Sequence, residues 1–259
     1  MLAAQRQAAI LDSVRSSGGV RVADLVDRFG VSDMTIRRDL EILADRGLVL
    51  KVHGGATALR PGATEEPGFA AKTELRTAEK DAIAERAAAL VEPGTAIAIS
   101  AGTTTARLAQ RLLGVAGITV VTNSVPVADL FHRQGRSDQT VVLTGGMRTP
   151  SDALVGPIAV TAIRTLHVDL LFLGVHGMSE RAGFTTPNLL EAETDRALVA
   201  AAGRLVVVAD SSKWGVVGIS SIATLAEAHV LVTDDGLGDQ AREDLTTAVG
   251  ELVIARTHP

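Results

Sequence analysis

The chain of 259 residues contains no cysteine, and this absence excludes several kinds of site. Without cysteine there is no disulfide framework, no thiolate metal site and no cysteine nucleophile. Aromatic residues make up only 2% of the chain, so its core must consist mainly of Leu, Val, Ile and Ala. No apolar run approaches membrane-spanning length, and Arg6 and Arg15 interrupt the segment where a signal peptide would need an apolar core. We therefore expect a cytoplasmic protein with no membrane partner.

The chain also lacks a strong excess of basic residues. Its net charge is −5; residues 1–57 contain 8 basic and 7 acidic residues, and the remainder contains 17 and 23. Proteins that coat nucleic acid without sequence preference use broad basic surfaces. Any binding to nucleic acid is therefore expected to be local and directed to a defined site.

The most informative segment that is present is residues 31–40 (VSDMTIRRDL), which follows an apolar-periodic segment, residues 20–29, across Gly30. Ser32 is a good N-cap and predicts that a helix begins here. Apolar residues recur at helical spacing and would face a small core: Ile36, Leu40 and Leu43. The outward face then carries Thr35, Arg37, Arg38 and Glu41.

Together with a helix predicted over residues 5–16, this order of elements predicts a helix-turn-helix. A recognition helix meets the major groove of DNA with its amino-terminal half, where arginine suits phosphates or guanine edges and threonine suits a phosphate or a thymine methyl. Gly47 predicts the end of the helix, and residues 48–55 (LVLKVHGG) alternate and turn like a β-wing. The predicted DNA-binding residues are Ser32, Thr35, Arg37, Arg38, Lys51 and His53.

An ordinary solvated helix face is the alternative interpretation of the two arginines, which can pair with Asp33 and Glu41 at helical spacing. The order of elements favours DNA binding. Three segments, residues 21–25 (RVADL), 37–40 (RRDL) and 52–56 (VHGGA), resemble the amino-terminal domain of DeoR-family bacterial transcription regulators. The resemblance implies a winged helix-turn-helix, residues 1–57, that binds double-stranded operator DNA.

A linker and a larger domain are predicted to follow. Residues 58–68 (ALRPGATEEPG) concentrate Pro, Gly and charge, so we place a linker at residues 58–71 and a second domain at residues 72–259. A long helix is predicted over residues 72–91, either as the first element of this domain or as a coupling helix. Its buried stripe would consist of Leu75, Ile83, Ala87 and Leu90.

Strand-like and helix-like segments then alternate, which is typical of a mostly parallel α/β sheet. The predicted strands are residues 96–100, 118–122, 140–144, 169–175, 205–209, 229–233 and 252–255. The predicted helices are residues 104–113, 125–134, 189–202 and 239–249. Because these strands are continuously apolar, we expect helices on both faces of the sheet.

Ligands of such sheets bind beyond the carboxyl ends of the strands, which makes the polar strand-to-helix junctions candidate sites. At residues 100–105 (SAGTTT), glycine allows close approach of the backbone, and amides and hydroxyls at a helix start can hold a phosphate. Each junction alone can also be an ordinary cap or turn, and His176 can be a purely structural histidine. The candidate ligand-binding residues are Gly102, Thr103, Thr104, Thr105, Asn123, Ser124, Gly145, Gly146, His176, Thr185, Thr186 and Lys213.

These junctions extend the family resemblance to nearly the whole chain. The segments AGTTT, TNS, GG, GFTT, EAE and ADSSK are similar to sensor-domain signatures of DeoR regulators; they lie at residues 101–105, 122–124, 145–146, 183–186, 191–193 and 209–213. The resemblance implies an α/β sensor domain similar to ribose-5-phosphate isomerase and glucosamine-6-phosphate deaminase, which binds a sugar phosphate and uses Glu191 as well. Two positions depart from the pattern: Ser100 stands where many relatives have Asp, and His176 where they often have Asp.

The sequence therefore predicts a regulator, a repressor of a carbohydrate-metabolism operon, that a phosphorylated sugar or related metabolite releases from DNA. We expect a homodimer or larger homo-oligomer on an inverted repeat. No catalytic residue, cofactor or metal is predicted. The alternative is a sugar-phosphate isomerase or deaminase with an appended DNA-binding domain, whose general base would have to be His176. A domain that only oligomerises, with a vestigial pocket, is the third possibility.

Overall fold

The computed structural model describes residues 3–17, 19–45, 48–52, 54–58 and 68–257. The chain divides into two compact units, Met1–Pro61 and Gly62–Pro259. Three features named above lie outside the described residues: the predicted helix end at Gly47, the predicted DNA contact at His53, and most of the predicted linker, residues 59–67.

The amino-terminal unit combines helices with a small antiparallel sheet. Its elements are α1 (Ala3–Ser17), β1 (Gly19–Arg21), α2 (Val22–Phe29), α3 (Asp33–Asp45), β2 (Val49–Val52) and β3 (Gly55–Ala58). Strand β3 lies between β1 and β2 and pairs antiparallel with both. A Cβ at Gly55 would lie 2.0 Å from the carbonyl oxygen of Val20, so β1 and β3 can approach this closely only because Gly55 has no side chain. The pair β2 and β3 forms the predicted wing.

The core of this unit lies on the inner face of α3, as the helical spacing predicts. The buried residues are Ile10, Val14, Val22, Leu25, Ile36, Leu40, Leu43, Val49 and Ala56. A buried ion pair lies beside them, since the Nε of Arg6 is 2.6 Å from an oxygen of Asp39. Gln7 donates a hydrogen bond to the other oxygen of Asp39 at 2.8 Å. These contacts fasten α1 to α3 and fix the orientation of the helix that carries Arg37 and Arg38.

The larger unit is built on a seven-stranded sheet. In chain order its elements are α4 (Phe69–Thr73), α5 (Thr77–Ala88), β4 (Ala96–Ile99), α6 (Thr103–Leu112), β5 (Thr119–Thr122), α7 (Val125–Gln134), β6 (Thr140–Leu143), β7 (Met147–Arg148), β8 (Leu154–Val155), α8 (Pro157–Ile163), β9 (Val168–Gly174), β10 (Gly177–Ser179), β11 (Gly183–Thr186), α9 (Leu189–Ala201), β12 (Ala202–Val208), β13 (Ser220–Ala223), β14 (Val230–Asp234), α10 (Asp239–Ala248) and β15 (Leu252–Ala255). The strand order is β15-β14-β12-β9-β4-β5-β6, and neighbouring strands run parallel.

Both faces of this sheet are covered by helices, which confirms that prediction. Alternate residues of β4 enter two different cores: Ile97 and Ile99 pack with α5, α6 and α7, whereas Ala98 packs with residues of α9 and α10. Because successive side chains of a strand point to opposite faces, an unbroken apolar strand buries both. Among the described residues, no helix is long and apolar enough to span a bilayer.

The predicted single helix over residues 72–91 is wrong. The structure has the short helix α4 and then α5, separated at Arg76, whose backbone adopts a left-handed conformation with φ of 52°. Leu75 lies in this break and is 50% exposed, so it does not belong to the buried stripe. The buried stripe of α5 instead comprises Lys80, Ile83, Ala84 and Ala87.

Several short elements were not predicted from the sequence. They are the antiparallel sheet of β10, β11 and β13, the β7–β8 pair, and helices α4 and α8. Each of these strands has two to four residues. Such short segments contain too little periodicity to be distinguished from loops.

Candidate functional site

The outward face of α3 begins at Ser32, as predicted. The backbone N–H of Thr35 donates to the Ser32 hydroxyl oxygen at 3.3 Å, and the two hydroxyls are 2.9 Å apart. This contact satisfies a backbone donor that the helix itself leaves open. The amino-terminal half of α3 is therefore ordered and faces solvent.

The two arginines of this face differ in their partners. Arg37 binds Asp33 through two hydrogen bonds, of 2.5 and 3.2 Å. Glu41 pairs with Lys51 of the wing, at 3.3 Å, and not with an arginine. Arg38 is exposed and has no ion-pair partner among the described residues. The alternative of two paired arginines thus holds for Arg37 alone, and Arg38 presents its whole charge to solvent.

Met34 is a residue of this face that the sequence reasoning missed. Its side chain is 79% exposed in the first turn of α3, directly before Thr35. An exposed apolar side chain at this position can contact a thymine methyl in the major groove. Its outward position follows from the same helical spacing that buries Ile36, so the pattern contained this signal.

The carboxyl ends of the parallel strands form the second candidate region. The hydroxyl of Ser100, after β4, accepts a hydrogen bond from the backbone N–H of Gly174 at 3.0 Å, which joins the ends of β4 and β9. The first turn of α6 packs here as well, with Thr105 next to Gly174. Because the N-cap Gly102 has no side chain, it cannot cap the first-turn amides of α6, and these point toward the strand ends.

The side chains of Asn123 and Ser124 hold this region together. The side-chain oxygen of Asn123 accepts from the backbone N–H of Ala101 at 3.0 Å, and its amide donates to the carbonyl of Leu154 at 3.3 Å. Ser124 accepts from the backbone N–H of Val127 at 3.4 Å and caps α7. Asn123 therefore positions the loop that begins α6, and Ser124 fixes the start of α7.

Gly145 and Gly146 are explained by the backbone. Their φ angles are 73° and 120°, and a Cβ at Gly146 would lie 2.5 Å from the carbonyl oxygen of Val155. Side chains are disfavoured at both positive φ angles, and at Gly146 a side chain would also have no room. The two glycines allow the chain to turn after β6 and to pack against β8.

Hydrogen bonds engage three further predicted ligand-binding residues, Thr185 and Thr186 of β11 and Glu191 of α9. The hydroxyl of Thr185 accepts from the backbone N–H of Gly218 at 2.9 Å and donates to the carbonyl of Gly177 at 3.3 Å. One oxygen of Glu191 accepts from the hydroxyl of Thr149 at 2.7 Å, and the other accepts from Thr186 at 3.3 Å. The Glu191 carboxylate therefore joins α9 to β11 and to the loop between β7 and β8.

Lysines meet at the strand ends beside α6. The whole chain has only four lysines among 25 basic residues. Three of them, Lys72, Lys80 and Lys213, are close enough for their charges to act on one another or on His176. We call these three residues the lysine group. They lie on different elements, the end of α4, the buried stripe of α5 and the turn after β12, so the fold assembles them.

Lys80 is the most buried member of the group, with 4% of its surface exposed. Its Nζ donates to the backbone carbonyl of Lys72 at 2.5 Å. Burial lowers the pKa of Lys80 to about 8, and the charges of Lys213, Arg107 and Lys72 lower it as well, while Asp210 opposes them. No carboxylate of the described chain lies within ion-pair distance of this ammonium. The charge is therefore concentrated and poorly compensated.

His176 lies at the same place. Burial, followed by the charges of Lys213 and Lys72, lowers the pKa of His176 to about 4, so its imidazole is neutral near pH 7. Its Nε2 is buried and has no hydrogen-bond partner among the residues that the structure describes. A buried polar atom without a partner needs an explanation, and a ligand group is one.

Lys72 and Lys80 were not among the candidates from the sequence. For Lys80 a signal was available, because it precedes Ile83, Ala84 and Ala87 by three, four and seven residues, which places it on the buried stripe. Because the prediction placed Leu75 on the buried stripe, it assigned the stripe to different helix positions and did not include Lys80. Lys72 gave no such signal, since its position depends on the break at Arg76.

Comparison with known proteins finds two family models that match the chain. Residues 6–61 match the DeoR-like helix-turn-helix domain, and residues 75–235 match the DeoR C terminal sensor domain. The chain belongs to the DeoR family of transcriptional regulators.

Its relatives within the DeoR family match along almost their whole length. The HTH-type transcriptional regulator YgbI of Escherichia coli (strain K12) is 37% identical over 258 residues, 99% of each chain. The HTH-type transcriptional regulator GlpR of Haloferax volcanii is 37% identical over 249 residues, 96% of each chain. The glycerol-3-phosphate regulon repressor of Escherichia coli (strain K12) is 30% identical over 231 residues, covering 89% of this chain and 90% of the relative.

Among solved structures, ribose 5-phosphate isomerase A from Neisseria gonorrhoeae aligns with this DeoR-family chain at 18% identity and a TM-score of 0.38. The alignment covers 52% of each chain.

Proposed function

We propose that this DeoR-type regulator represses a carbohydrate-metabolism operon and leaves its operator when a phosphorylated sugar binds at the strand ends. The observation that carries this proposal is the lysine group, in which the buried Lys80 lies near Lys213 of the turn after β12. Lys80 is almost completely buried, and no carboxylate of the described residues lies within ion-pair distance of its ammonium. A phosphate dianion would supply the missing charge, and helix-start amides are natural donors to it. The name of one relative, glycerol-3-phosphate regulon repressor, is consistent with this class of effector.

We propose that Arg38, Thr35 and Met34 contact bases or phosphates of the operator, with Ser32 fixing the helix start. Lys51 of the wing would contact the DNA backbone once it leaves Glu41. A winged helix reads one half-site, so a homodimer or larger homo-oligomer would bind an inverted repeat. The described residues of the DNA-binding unit include few cations without an ion-pair partner. Its binding to DNA should therefore depend on base sequence more than on bulk charge. We place this activity in the cytoplasm.

We propose that the strand-end region binds its ligand and does not transform it. A general base is the group that an isomerase or deaminase would need. With a pKa of about 4, His176 is a weak base near pH 7. The carboxylates at the strand ends are engaged by backbone amides, since Asp210 accepts from Ser212 and Asp234 accepts from Ser211.

Within this region, we assign the ligand contacts to residues whose polar groups are not mainly engaged in holding the fold together. Gly102, Thr103 and Thr104 would present amides and hydroxyls, while Lys213 and His176 would approach the phosphate and sugar oxygens. Thr105, Asn123, Ser124, Gly145, Gly146 and Thr185 would mainly hold the region in shape. Thr186 and Glu191 would receive sugar hydroxyls at the rim.

The experiment that tests the function is footprinting of DNA upstream of the protein's own gene, repeated with a panel of phosphosugars and their unphosphorylated sugars. We expect one protected inverted repeat, and we expect one phosphosugar to remove the protection without being consumed. Protection that no member of the panel alters would contradict the effector. Turnover of a phosphosugar would support the enzymatic alternative.

A variant separates the lysine group from general charge effects. Lys213→Met should keep the footprint in the presence of the active phosphosugar, because the effector has lost an ammonium contact. Arg111→Met, which removes an exposed cation from α6, is the matched control and should still respond. Equal responses of the two variants would refute the role of Lys213.

A further inference from the structure

Six exposed large apolar side chains of the sensor unit lie around the amino-terminal ends of α8 and α9. They are Met147, Ile158, Leu189, Leu190, Val217 and Ile219, with 38–68% of each residue exposed. Apart from them, the exposed large apolar residues described in this unit are Leu75 and Leu143. Single exposed apolar residues are ordinary on a protein surface, whereas a contiguous group of them marks an interaction site.

Met147 and Ile158 lie side by side at the start of α8. A Cβ at Gly156, the N-cap of this helix, would stand 3.1 Å from the Cε of Met147. A Cβ at Gly145 would stand 3.6 Å from a methyl carbon of Ile158. The segment after β6 and the first turn of α8 therefore present the two side chains together.

The other four side chains meet at the start of α9. Gly218 packs against the end of β11 so closely that a Cβ there would lie 2.5 Å from the carbonyl oxygen of Thr186. The exposed apolar residues on either side of Gly218 are thereby brought to the two leucines that begin α9. The next residue of α9, Glu191, accepts a hydrogen bond from Thr149 in the loop after β7 at 2.7 Å. This bond joins the start of α9 to the segment that carries Met147.

Along α9 this apolar surface continues into a groove beside α8. Leu190, Glu193 and Ala197 follow one another at spacings of three and four residues, so they share one face of the helix. Glu193, Ala197 and Arg164 line the groove, which has a volume of about 320 Å³. Glu193 and Arg164 are exposed, and no ion pair or side-chain hydrogen bond within the described chain involves either of them. We call the six apolar residues and this groove the α8–α9 face.

The α8–α9 face is suited to a second copy of the chain. A surface that binds its own copy across a two-fold axis must be complementary to itself. Apolar side chains meet this condition, and so does a groove that carries one unpaired cation and one unpaired anion, because Arg164 of each copy can approach Glu193 of the other. Nucleic acid fits less well, since the surfaces that bind it are strongly positive.

The apolar area agrees with such an interface. Complete burial of an aliphatic side chain removes about 100 Å² from water, so the six exposures amount to about 300 Å² of apolar surface in each copy. Two copies would bury about 600 Å², and since interfaces are about 60% apolar, the total buried surface would be about 1,000 Å². An area of about 1,000 Å² is the lower limit for a specific interface.

We propose that the α8–α9 face joins two copies of the chain across a two-fold axis, with Arg164 of each copy against Glu193 of the other. This inference rests on the proposed function in one respect, because a repressor that reads an inverted repeat needs two copies held together. It adds the surface that holds them, which lies wholly within the sensor unit.

The first test is sedimentation velocity of the full-length protein at micromolar concentration, without DNA or sugar. We expect a dimer. Ile158→Asp should weaken the dimer at least about tenfold, because a carboxylate would be buried against apolar side chains. An acidic residue in the first turn of a helix suits the helix dipole, so this variant should fold. Leu75→Asp, which alters an exposed leucine outside the face, is the matched control and should remain a dimer. A monomeric unaltered protein, or a dimer that Ile158→Asp leaves intact, would overturn the proposal.

A pair of charge reversals tests the arrangement of the two copies. Arg164→Glu and Glu193→Arg should each weaken the dimer, because like charges would then meet across the axis. The double variant restores opposite charges and should recover the dimer, a result that misfolding cannot produce. Arg111→Glu, on α6, should have no effect on the dimer. A double variant that is as weak as the single variants would overturn the pairing of Arg164 with Glu193.

The inference and the proposed function can fail separately. A dimer that depends on the α8–α9 face, with no operator footprint or none that a phosphosugar alters, would support the face and reject the proposed function. A footprint that a phosphosugar removes, in a protein whose dimer survives both Ile158→Asp and the single charge reversals, would do the reverse.

Discussion

Among the described residues, each unit buries one lysine or arginine, and these two cations differ in their counter-charge. Arg6 in the DNA-binding unit is 8% exposed, and its Nε lies 2.6 Å from Asp39. Lys80 in the sensor unit is 4% exposed, but the acceptor bonded to it is the neutral carbonyl of Lys72. A buried charge without a partner destabilises a fold, whereas a paired one is tolerated.

The difference indicates what each cation is for. The Arg6–Asp39 pair is complete within the unit and joins two helices, so its role is structural. Among the described residues no carboxylate lies within ion-pair distance of Lys80, and this is the feature on which its proposed role toward a ligand depends. The same contrast recurs on the surface of α3, where Arg37 is paired with Asp33 and Arg38 is not. Substituting these cations or their carboxylate partners one at a time tests whether paired cations are structural and unpaired ones functional.

The largest effect is expected from Asp39→Ala, which leaves Arg6 buried without its carboxylate. Breaking a buried ion pair in this way costs about 3 to 5 kcal/mol in the free energy of unfolding. Urea unfolding of the full-length protein, followed by hydrogen exchange in α1 and α3, measures the loss. Asp33→Ala removes the carboxylate of an exposed pair and should cost less than about 1 kcal/mol. Similar losses of unfolding free energy in the two variants would contradict the structural role assigned to the buried Arg6–Asp39 pair.

A smaller effect is expected at the DNA surface. Arg38→Ala should weaken operator binding by about 1 to 3 kcal/mol, because a contact between an unpaired arginine and a base or phosphate is lost. Arg37→Ala should weaken it less, since Arg37 must first leave Asp33. Fluorescence anisotropy with the footprinted operator measures both. If Arg37→Ala has the larger effect, then Arg37 contacts the operator, and its ion pair with Asp33 only orients its side chain before DNA binds.

The opposite sign is expected for Lys80→Met in the absence of ligand. Replacing an uncompensated buried cation by a methionine should stabilise the sensor unit by about 1 to 2 kcal/mol near neutral pH. The folded-state pKa of Lys80 is lowered from 10.5 to about 8, so its destabilising effect is complete below pH 8 and fades as pH rises toward 10.5. Thermal unfolding across this range should show the advantage of the variant disappearing. A variant that is less stable at neutral pH would make Lys80 a structural residue.

The sequence predicted the elements whose pattern is long and repeated. The alternating body, with α7 and β15 at the predicted bounds, follows from apolar runs separated by helical segments. The inner face of α3 follows from the spacing of Ile36, Leu40 and Leu43. Burial dictates these patterns, so they are visible in the chain itself.

The sequence did not predict contacts that depend on a single backbone angle or on distant parts of the chain. The left-handed conformation of Arg76, the N-cap of α5, lies between Lys72 and Lys80, and the carbonyl of Lys72 accepts a hydrogen bond from Lys80. No periodicity encodes such a turn at a residue other than glycine. Asn123, a predicted ligand contact, has an amide that joins Ala101 to Leu154, which are far apart in the chain. Polar residues at a junction therefore do not by themselves distinguish a ligand contact from a contact that holds the fold together.

The smallest effect concerns His176 and tests the charge of the lysine group directly. Burial and the charges of Lys213 and Lys72 lower the pKa of His176 from 6.5 to about 4. The unfolded chain therefore takes up this proton first, and the contribution of His176 to stability is lost as pH falls from about 6.5 toward about 4. His176→Gln should flatten the pH dependence of unfolding in that window by comparison with the unaltered protein. Bound sulfate would offset the lysine charges, so an NMR titration should find a higher pKa for His176 in sulfate than in chloride. The same pKa in both salts would mean that the lysine group does not hold an anion near His176.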